Sequence, residues 1–477
     1  MSSQGHPGAD LPREPPAPGG LWLRSILSVA VIVGVFELHY RYVLVHFSVG
    51  GTPFDSGWFA WLLGSGDPRL TNPQIIDGLS YYNYHVSPYL SALSALFGAL
   101  GVDRFTAFAV HQGAVFAVLA GSVLALVFPV RSWLLFTAAA LFILLDDLVL
   151  QYATFPHPEI AILAFCLLGA ALWLGRLQWL AILAFAVACL VREDGGLFVA
   201  ATLVAVAFSS SPKQAPRSRK AALAAGALSV SAAMFATKAW VFPGFPTFDF
   251  NYVGNHWDHV TATFVLGRLG DLAHNPQALI PLVATVVLAV LSWRYLLFPL
   301  LMLPLIALQL LAVRDLLGHF VFYYAMPFLV IASGQYLVAA IRARQGQIRP
   351  AEPIVLLITA VLSTSPLLFA ASLPSSLPML AATLWQPIIP DLPAVADATA
   401  VAVTAAPDAC VSYGVAALIP NAVSKTKLLT AESDVAPCLS VFLFRGDAQY
   451  DALKSQITGW TAGPVIAGRI ERYDHRP

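Results

Sequence analysis

Acids, imidazoles and guanidinium groups recur at a few points of an otherwise apolar chain, each time between two apolar runs. Asp55 stands in GTPFDSGWFA, among Phe54, Trp58, Phe59 and Trp61, in a long polar stretch from Val45 to Pro88. A carboxylate held at such a water-poor surface takes the proton from an acceptor hydroxyl as a general base. The bland alternative is that Asp55 caps the start of a short interfacial helix. The same stretch ends in Tyr81, Tyr82, Tyr84 and His85. Of these, Tyr82, Tyr84 and His85 fit the wall of a sugar or headgroup pocket, or interfacial anchors of a span. In YATFPHPEIA, two prolines hold His157 in an extended turn and Glu159 opens the next helix, where the dipole favours an anion. That accounts structurally for Glu159 and less well for His157.

In CLVREDGGLF, Arg192, Glu193 and Asp194 interrupt what is otherwise one apolar stretch. Three consecutive charges are costly in lipid. Either they are solvated loop charges or the arginine grips a phosphate. In VRDLLGHFVFYYAMP, Arg314, Asp315, His319, Tyr323 and Tyr324 form another tight polar turn, in which Arg314 and Asp315 read most simply as a surface ion pair. Lys238 is placed to snorkel from the end of its apolar run. His256, Asp258 and His259 have no recognised metal-ligand spacing, so no metal and no cofactor is expected. No one motif is strong. The joint pattern is stronger, since each of these turns carries an acid and several add a cation or an imidazole.

The elements that must hold these groups follow from composition. The 477 residues are 58% hydrophobic and only 11% charged, against roughly 25% charged in soluble domains. The expected fold class is an all-α polytopic membrane protein with about eleven spans. They are placed near 22–44, 105–129, 132–149, 158–175, 178–191, 195–210, 220–241, 278–293, 296–313, 319–341 and 353–371. The short apolar run Pro88–Gly101 reads as a re-entrant or interfacial helix, and 45–104 as a long first outer loop. Residues 1–20 read as a disordered tail, and 21–45 as a retained anchor. Arg131, Arg176, the Lys213–Lys220 cluster, Arg294, Arg342, Arg344 and Arg349 put one set of loops in the cytoplasm, and the acid-bearing turns outside. Zero net charge gives no sign of a nucleic-acid partner. No phosphate-binding loop or dinucleotide fingerprint is present.

The composition changes after Ser372. An Ala-rich helix, Ala394–Ala405, then strands at Cys410–Tyr413, Lys427–Thr430, Ser440–Arg445 and Pro464–Tyr473, with a helix at Ala448–Ile457, predict a small α/β domain over 372–477. An odd number of spans places it outside. There a disulfide between Cys410 and Cys438 is one option. Cys166 and Cys189 read as small buried hydrophobes.

In order along 22–341, the elements Phe54-Asp55-Ser56-Gly57, His85-Val86-Ser87-Pro88, Phe155-Pro156-His157-Pro158-Glu159 and Arg192-Glu193-Asp194 resemble those of a branch of bacterial membrane proteins placed near the GT-C class of membrane glycosyltransferases. The pattern departs from that class in having one acid after Phe54 rather than an adjacent acidic pair, which puts metal dependence in doubt. The resemblance implies a GT-C-like transmembrane domain over 21–371 in a bacterial inner membrane, with a periplasmic C-terminal domain. It implies a polyprenyl-phosphate-sugar donor and an acceptor in the cell envelope. Asp55 would then be the base of a single inverting displacement. Arg192 and Arg314 would compensate the departing phosphate, and Tyr82, His85, His157 and Glu159 would orient sugar or acceptor. Glu193, Asp194, His319 and Tyr323 complete the expected substrate-binding set. Two other readings stand beside it: a transporter or flippase of a lipid-linked sugar, and an inactive GT-C-like binding or assembly protein.

Overall fold

The computed structural model describes residues 18–51, 54–71, 80–209, 217–243, 252–254, 256–364, 367, 381, 384–430, 432–447 and 449–475. Most of the expected N-terminal tail, the expected break after Ser372, and Asp77, Lys213, Asp249, Asn251 and Asn255 lie outside these residues.

The first part is helical, and local chemistry sets its boundaries. Helix α1 (Pro18–Val49) is followed by α2 (Phe54–Gly64) and a 3₁₀ turn, Tyr81–Asn83. Helix α3 (Pro88–Ala99) starts where Ser87 accepts from the Leu90 amide and Pro88 takes a first-turn position that needs no N–H donor. Its range matches the short helix expected there. Asp103 caps α4 (Arg104–Val127) by accepting from the Phe105 and Thr106 amides at 3.0 and 3.1 Å. The expected run 132–149 is broken: α5 (Trp133–Leu145) ends at Asp146, which bonds the Leu148 amide and opens α6 (Asp147–Thr154).

Then come α7 (Ile160–Leu174), α8 (Gln178–Val191), α9 (Gly195–Ser209), α10 (Arg217–Val241), α11 (Ala262–Ala273), α12 (Pro276–Leu291) and α13 (Leu297–Leu310). A short turn, α14 (Asp315–Gly318), leads to α15 (Met326–Arg344) and α16 (Ala351–Leu362). Helix α1 packs along α4, α4 along α7, and α9 along α10, while α15 runs through the middle. The end carrying Arg294, Arg342 and Arg349 is tied by a buried pair. Arg342 donates to both oxygens of Glu352, which also accepts from Tyr295 at 2.6 Å.

Among the described residues, five helical stretches are long and apolar enough to cross a membrane: Gly20–Val49, Arg104–Val127, Arg217–Val241, Trp293–Leu310 and Tyr323–Arg344. The pair α11 and α12, bent by 77° at its break, makes up to six. The molecule is thus mostly helical, with candidate spans that fit a membrane protein. Other apolar helices are shorter. Helix α7 has 15 residues, about 22 Å, against about 30 Å of hydrocarbon. It is buried on nearly every side, so its apolar character serves protein packing as much as lipid.

The C-terminal part contains a five-stranded sheet in the order β2-β1-β3-β5-β4. Helix α17 (Leu392–Ala405) is capped by Asp391 and precedes β1 (Ala409–Ser412). Helix α18 (Tyr413–Leu418) leads to β2 (Lys427–Leu429), and β3 (Ser440–Phe444) is followed by α19 (Tyr450–Gln456). Strand β1 is parallel to both β2 and β3. Of the expected last strand, Pro464–Tyr473, only the end is strand: β5 (Ile470–Asp474), which pairs antiparallel with a short β4 (Thr461–Ala462) lying before the expected range. The chain reverses through Ala467 and Gly468, both with positive φ. Cys410 and Cys438 form a disulfide, and Cys166 and Cys189 are buried and free.

The sheet does not stand apart from the helices. Val43, Phe47, Phe59 and Phe105 share one core with Val411, Val415, Phe442 and Phe444. Arg104 donates to the Leu418 carbonyl at 2.7 Å. Gly446 lies on the Val49 carbonyl, and Gly57 on the Ala417 backbone, where no Cβ fits.

Candidate functional site

Five separated stretches meet at one end of the helical body: the start of α2, the segment before α3, the turn before α7, the α8–α9 turn, and the 314–324 segment. Backbone and packing bring them together. Ser56 donates to the Pro156 carbonyl at 2.9 Å, and the Phe59 ring meets His157 edge-on at 4.4 Å. Ser87 donates to the Val191 carbonyl at 2.6 Å, pinning the start of α3 to the end of α8.

Arg192 leaves α8 in an extended conformation, which turns its side chain across the next two residues. Its guanidinium takes both oxygens of Asp194, at 2.8 and 2.5 Å, and reaches Glu159 at 3.1 Å. This bidentate geometry is the strong form of the pair. Burial works against the charge on Arg192, but Asp194 beside it outweighs that and holds the guanidinium firmly protonated. Glu159 sits at the N-cap of α7 without capping it, its carboxylate engaged by Arg192 and His157. Burial, with Arg192 and His85 nearby, drives the His157 pKa well down, so its imidazole is neutral at pH 7.

Glu193 points the other way. It receives His85 Nδ1 at 2.7 Å and the Val86 amide at 3.1 Å. Burial raises its pKa, but His85 and then Arg192 more than cancel that, leaving it below the usual carboxylate value. Asp55 is the opposite case. It lies in the first turn of α2, half-buried, and among the described residues no donor bonds its carboxylate. Burial raises its pKa and Arg314 offsets part of the rise. Two carboxylates with pKa values pushed apart are the usual sign of divided acid–base roles.

Tyr323 links the two sides. Its ring stacks on His157 at 4.1 Å, and its hydroxyl meets that of Tyr324 at 2.6 Å. Tyr324 in turn accepts from Arg314 at 3.3 Å. Both tyrosines, and Tyr81, lie within electrostatic reach of Asp55.

Asp55, His85, His157, Glu159, Arg192, Glu193, Asp194, Arg314 and Tyr323 therefore form one cluster. Two expected members do not join it. Tyr82 stacks on Phe242 at 5.0 Å and bonds Ser91, while its neighbour Tyr81 turns inward toward Trp58, Phe59 and His85. His319 faces Arg268 and Asp271 instead. Asp315 pairs with Arg268, so the simple Arg314–Asp315 ion pair gives way to a different partner. Sequence alone also gave no role to Ser56 and Ser87, whose bonds are to distant carbonyls. Among the described residues no group of three or more His, Cys, Asp or Glu side chains could hold a metal ion.

No protein-family model matches the chain, and no curated protein matches it.

Proposed function

We propose that the protein is a membrane glycosyltransferase of the GT-C kind that moves a sugar from a polyprenyl-phosphate donor to an acceptor hydroxyl. In this reading the shorter apolar helices join the longer ones to give about eleven spans, and the clustered end faces the periplasm. The disulfide in the sheet domain supports that side, since such bonds persist in oxidising compartments. The observation that carries the reading is Asp55: a half-buried carboxylate, free of hydrogen-bond donors among the described residues, facing the charge of Arg314. A base needs the first property, and a departing phosphate needs the second nearby. Arg192 is committed to Glu159 and Asp194, so the phosphate-compensating role passes to Arg314. Arg192 serves to hold the two acids and His157 in place. The test is transfer from a synthetic polyprenyl-phosphate sugar by the purified full chain in proteoliposomes. Asp55→Asn is expected to lower the rate by about 100-fold or more; undiminished transfer would remove Asp55 as the base.

A transporter is favoured by one observation, the 77° bend between α11 and α12 beside Arg268 and Asp271, since transport sites are built at interrupted helices. Flux of the labelled donor across the proteoliposome membrane with no covalent product would select it.

A further inference from the structure

Helix α11 inverts the usual arrangement of an exposed amphipathic helix. Of its two charged residues, Arg268 is 4% exposed and Asp271, in its last turn, is exposed beside His319, while Leu266 and Leu269 are 68% and 45% exposed. Outward leucines and an inward guanidinium are wrong for water and right for lipid. The face continues into α12, where Val283, Val286 and Val290 are likewise exposed, and the two helices taken together are apolar enough to cross a membrane. The bend of 77° lays α11 across the direction of α12.

The inward guanidinium grips the turn that carries Arg314. Arg268 donates to Asp315 Oδ1 at 2.7 Å and bonds His319 Nε2 at 3.0 Å. Asn275, at the start of α12, donates to the His319 carbonyl at 3.2 Å. Gly318 lies against the guanidinium, so a Cβ there would push the Arg268 side chain from its present position. Just beyond, Phe320 holds a left-handed backbone at φ 53° and is buried edge-on to Phe328. A residue of that size keeps such a conformation only where its surroundings over-determine it.

We propose that α11 is seated in the lipid interface by Leu266 and Leu269, and that Arg268 is the positioning residue coupling this seat to Arg314, and hence to Asp55. The proposal rests on the glycosyltransferase reading only for the role given to Arg314; the coupling itself is physical and is read without turnover.

The full chain is placed in nanodiscs of phosphatidylcholine and phosphatidylglycerol, with Cys166 and Cys189 replaced by Ala. Leu266→Cys and Leu269→Cys carry an environment-sensitive fluorophore, and His274→Cys serves as the water-facing control. A lipid nitroxide high on the acyl chain is expected to quench the two leucine positions roughly twofold and more than one near the bilayer centre. No quenching, or stronger quenching from the centre, overturns the seat. Arg268→Gln is expected to speed amide exchange at Leu317, His319 and Phe320 by about tenfold while leaving α7 unchanged. Arg268→Lys, which keeps the charge without the fork, recovers part of the protection. Asp315→Asn removes one of the same bonds from the exposed side and gives the second reading if the arginine variant fails to fold. Unchanged exchange in 315–320, or an equal rise throughout the protein, overturns the coupling. Infrared titration of Asp55 supplies the link to the site. Loosening Arg314 removes a favourable charge, so the Asp55 pKa is expected to climb further in Arg268→Gln; an unmoved Asp55 sinks that link. None of these readouts depends on sugar transfer, so failure of transfer leaves the coupling standing, and the reverse.

Discussion

Glu193 holds His85 through one carboxylate oxygen and the Val86 amide through the other, at 2.7 and 3.1 Å, and so joins the α8–α9 turn to the start of α3. The join is charge-assisted and buried, and Ser87 reinforces it by bonding the Val191 carbonyl.

Glu193→Gln is expected to cost about 2 kcal/mol at neutral pH, as the loss of a buried charged hydrogen bond does. The pH dependence has a definite sign. The folded pKa lies below the unfolded value near 4.3, so the stabilisation is full above that pH and is lost as pH falls through the folded value. Thermal unfolding across acid pH should therefore fall more steeply for the native protein than for Glu193→Gln. Parallel curves would show that the carboxylate charge contributes nothing.

Asp55 predicts the opposite. Burial raises its folded pKa, so the ionised group opposes folding, and the penalty grows as pH rises from the unfolded value through the folded one. Asp55→Asn should then raise the melting temperature at neutral pH while, on the proposed reading, lowering transfer by about 100-fold or more. This is the trade expected where a site is kept strained for chemistry. A lowered melting temperature at neutral pH would mean that the Asp55 charge supports the fold.

The contact between Gly446 and the Val49 carbonyl predicts a domain-level effect. Gly446→Ala introduces a methyl group where backbone stands, and either the sheet or the end of α1 must move. Limited proteolysis should release a C-terminal fragment faster than from the native protein, with the helical content by circular dichroism unchanged. Equal release rates would show that the junction yields without separating.

Cys410 and Cys438 close a loop of 28 positions at the edge shared by β1 and β3. Replacing both by Ser is expected to destabilise the sheet domain by about 3 kcal/mol. Thiol titration of the denatured, unreduced protein should find only Cys166 and Cys189. Four reactive thiols would place the native protein in a reducing compartment and remove the support drawn from the disulfide.

The parts of the fold set by local rules were legible from sequence. Strands β1, β2 and β3 and helices α3 and α17 fall where turn residues and apolar runs placed them. The final strand was not: Gly463-Pro464 read as the start of a strand, whereas they end β4, and the chain reverses further on through Ala467 and Gly468. The positions of apolar runs were readable, but not which of them are long enough as helices: Asp146 ends α5 and starts α6 in a run that looked continuous. At the site, residue types were informative and orientations were not. Tyr81 and Tyr82 are adjacent in a 3₁₀ turn, and no spacing says which of two neighbours faces inward. Arg192 looked like a phosphate ligand because its partners were unknown: Asp194 is two residues away and Glu159 is 33. His319 had the right chemistry, but its place depends on Arg268, a residue that drew no attention in the sequence.

The junction of sheet and helices fixes when the protein can be finished. Ser48 is bonded from the Ile389 amide 341 positions later, and Arg104 reaches a carbonyl 314 positions later. The helix bearing Asp55 is backed at Gly57 by Ala417, so a ribosome must have made almost everything before that helix has its full support. Contacts so remote in order are slow to close. Until they do, α2 lacks the backing of the sheet domain, and a chain stopped short of Ala409 never gains it.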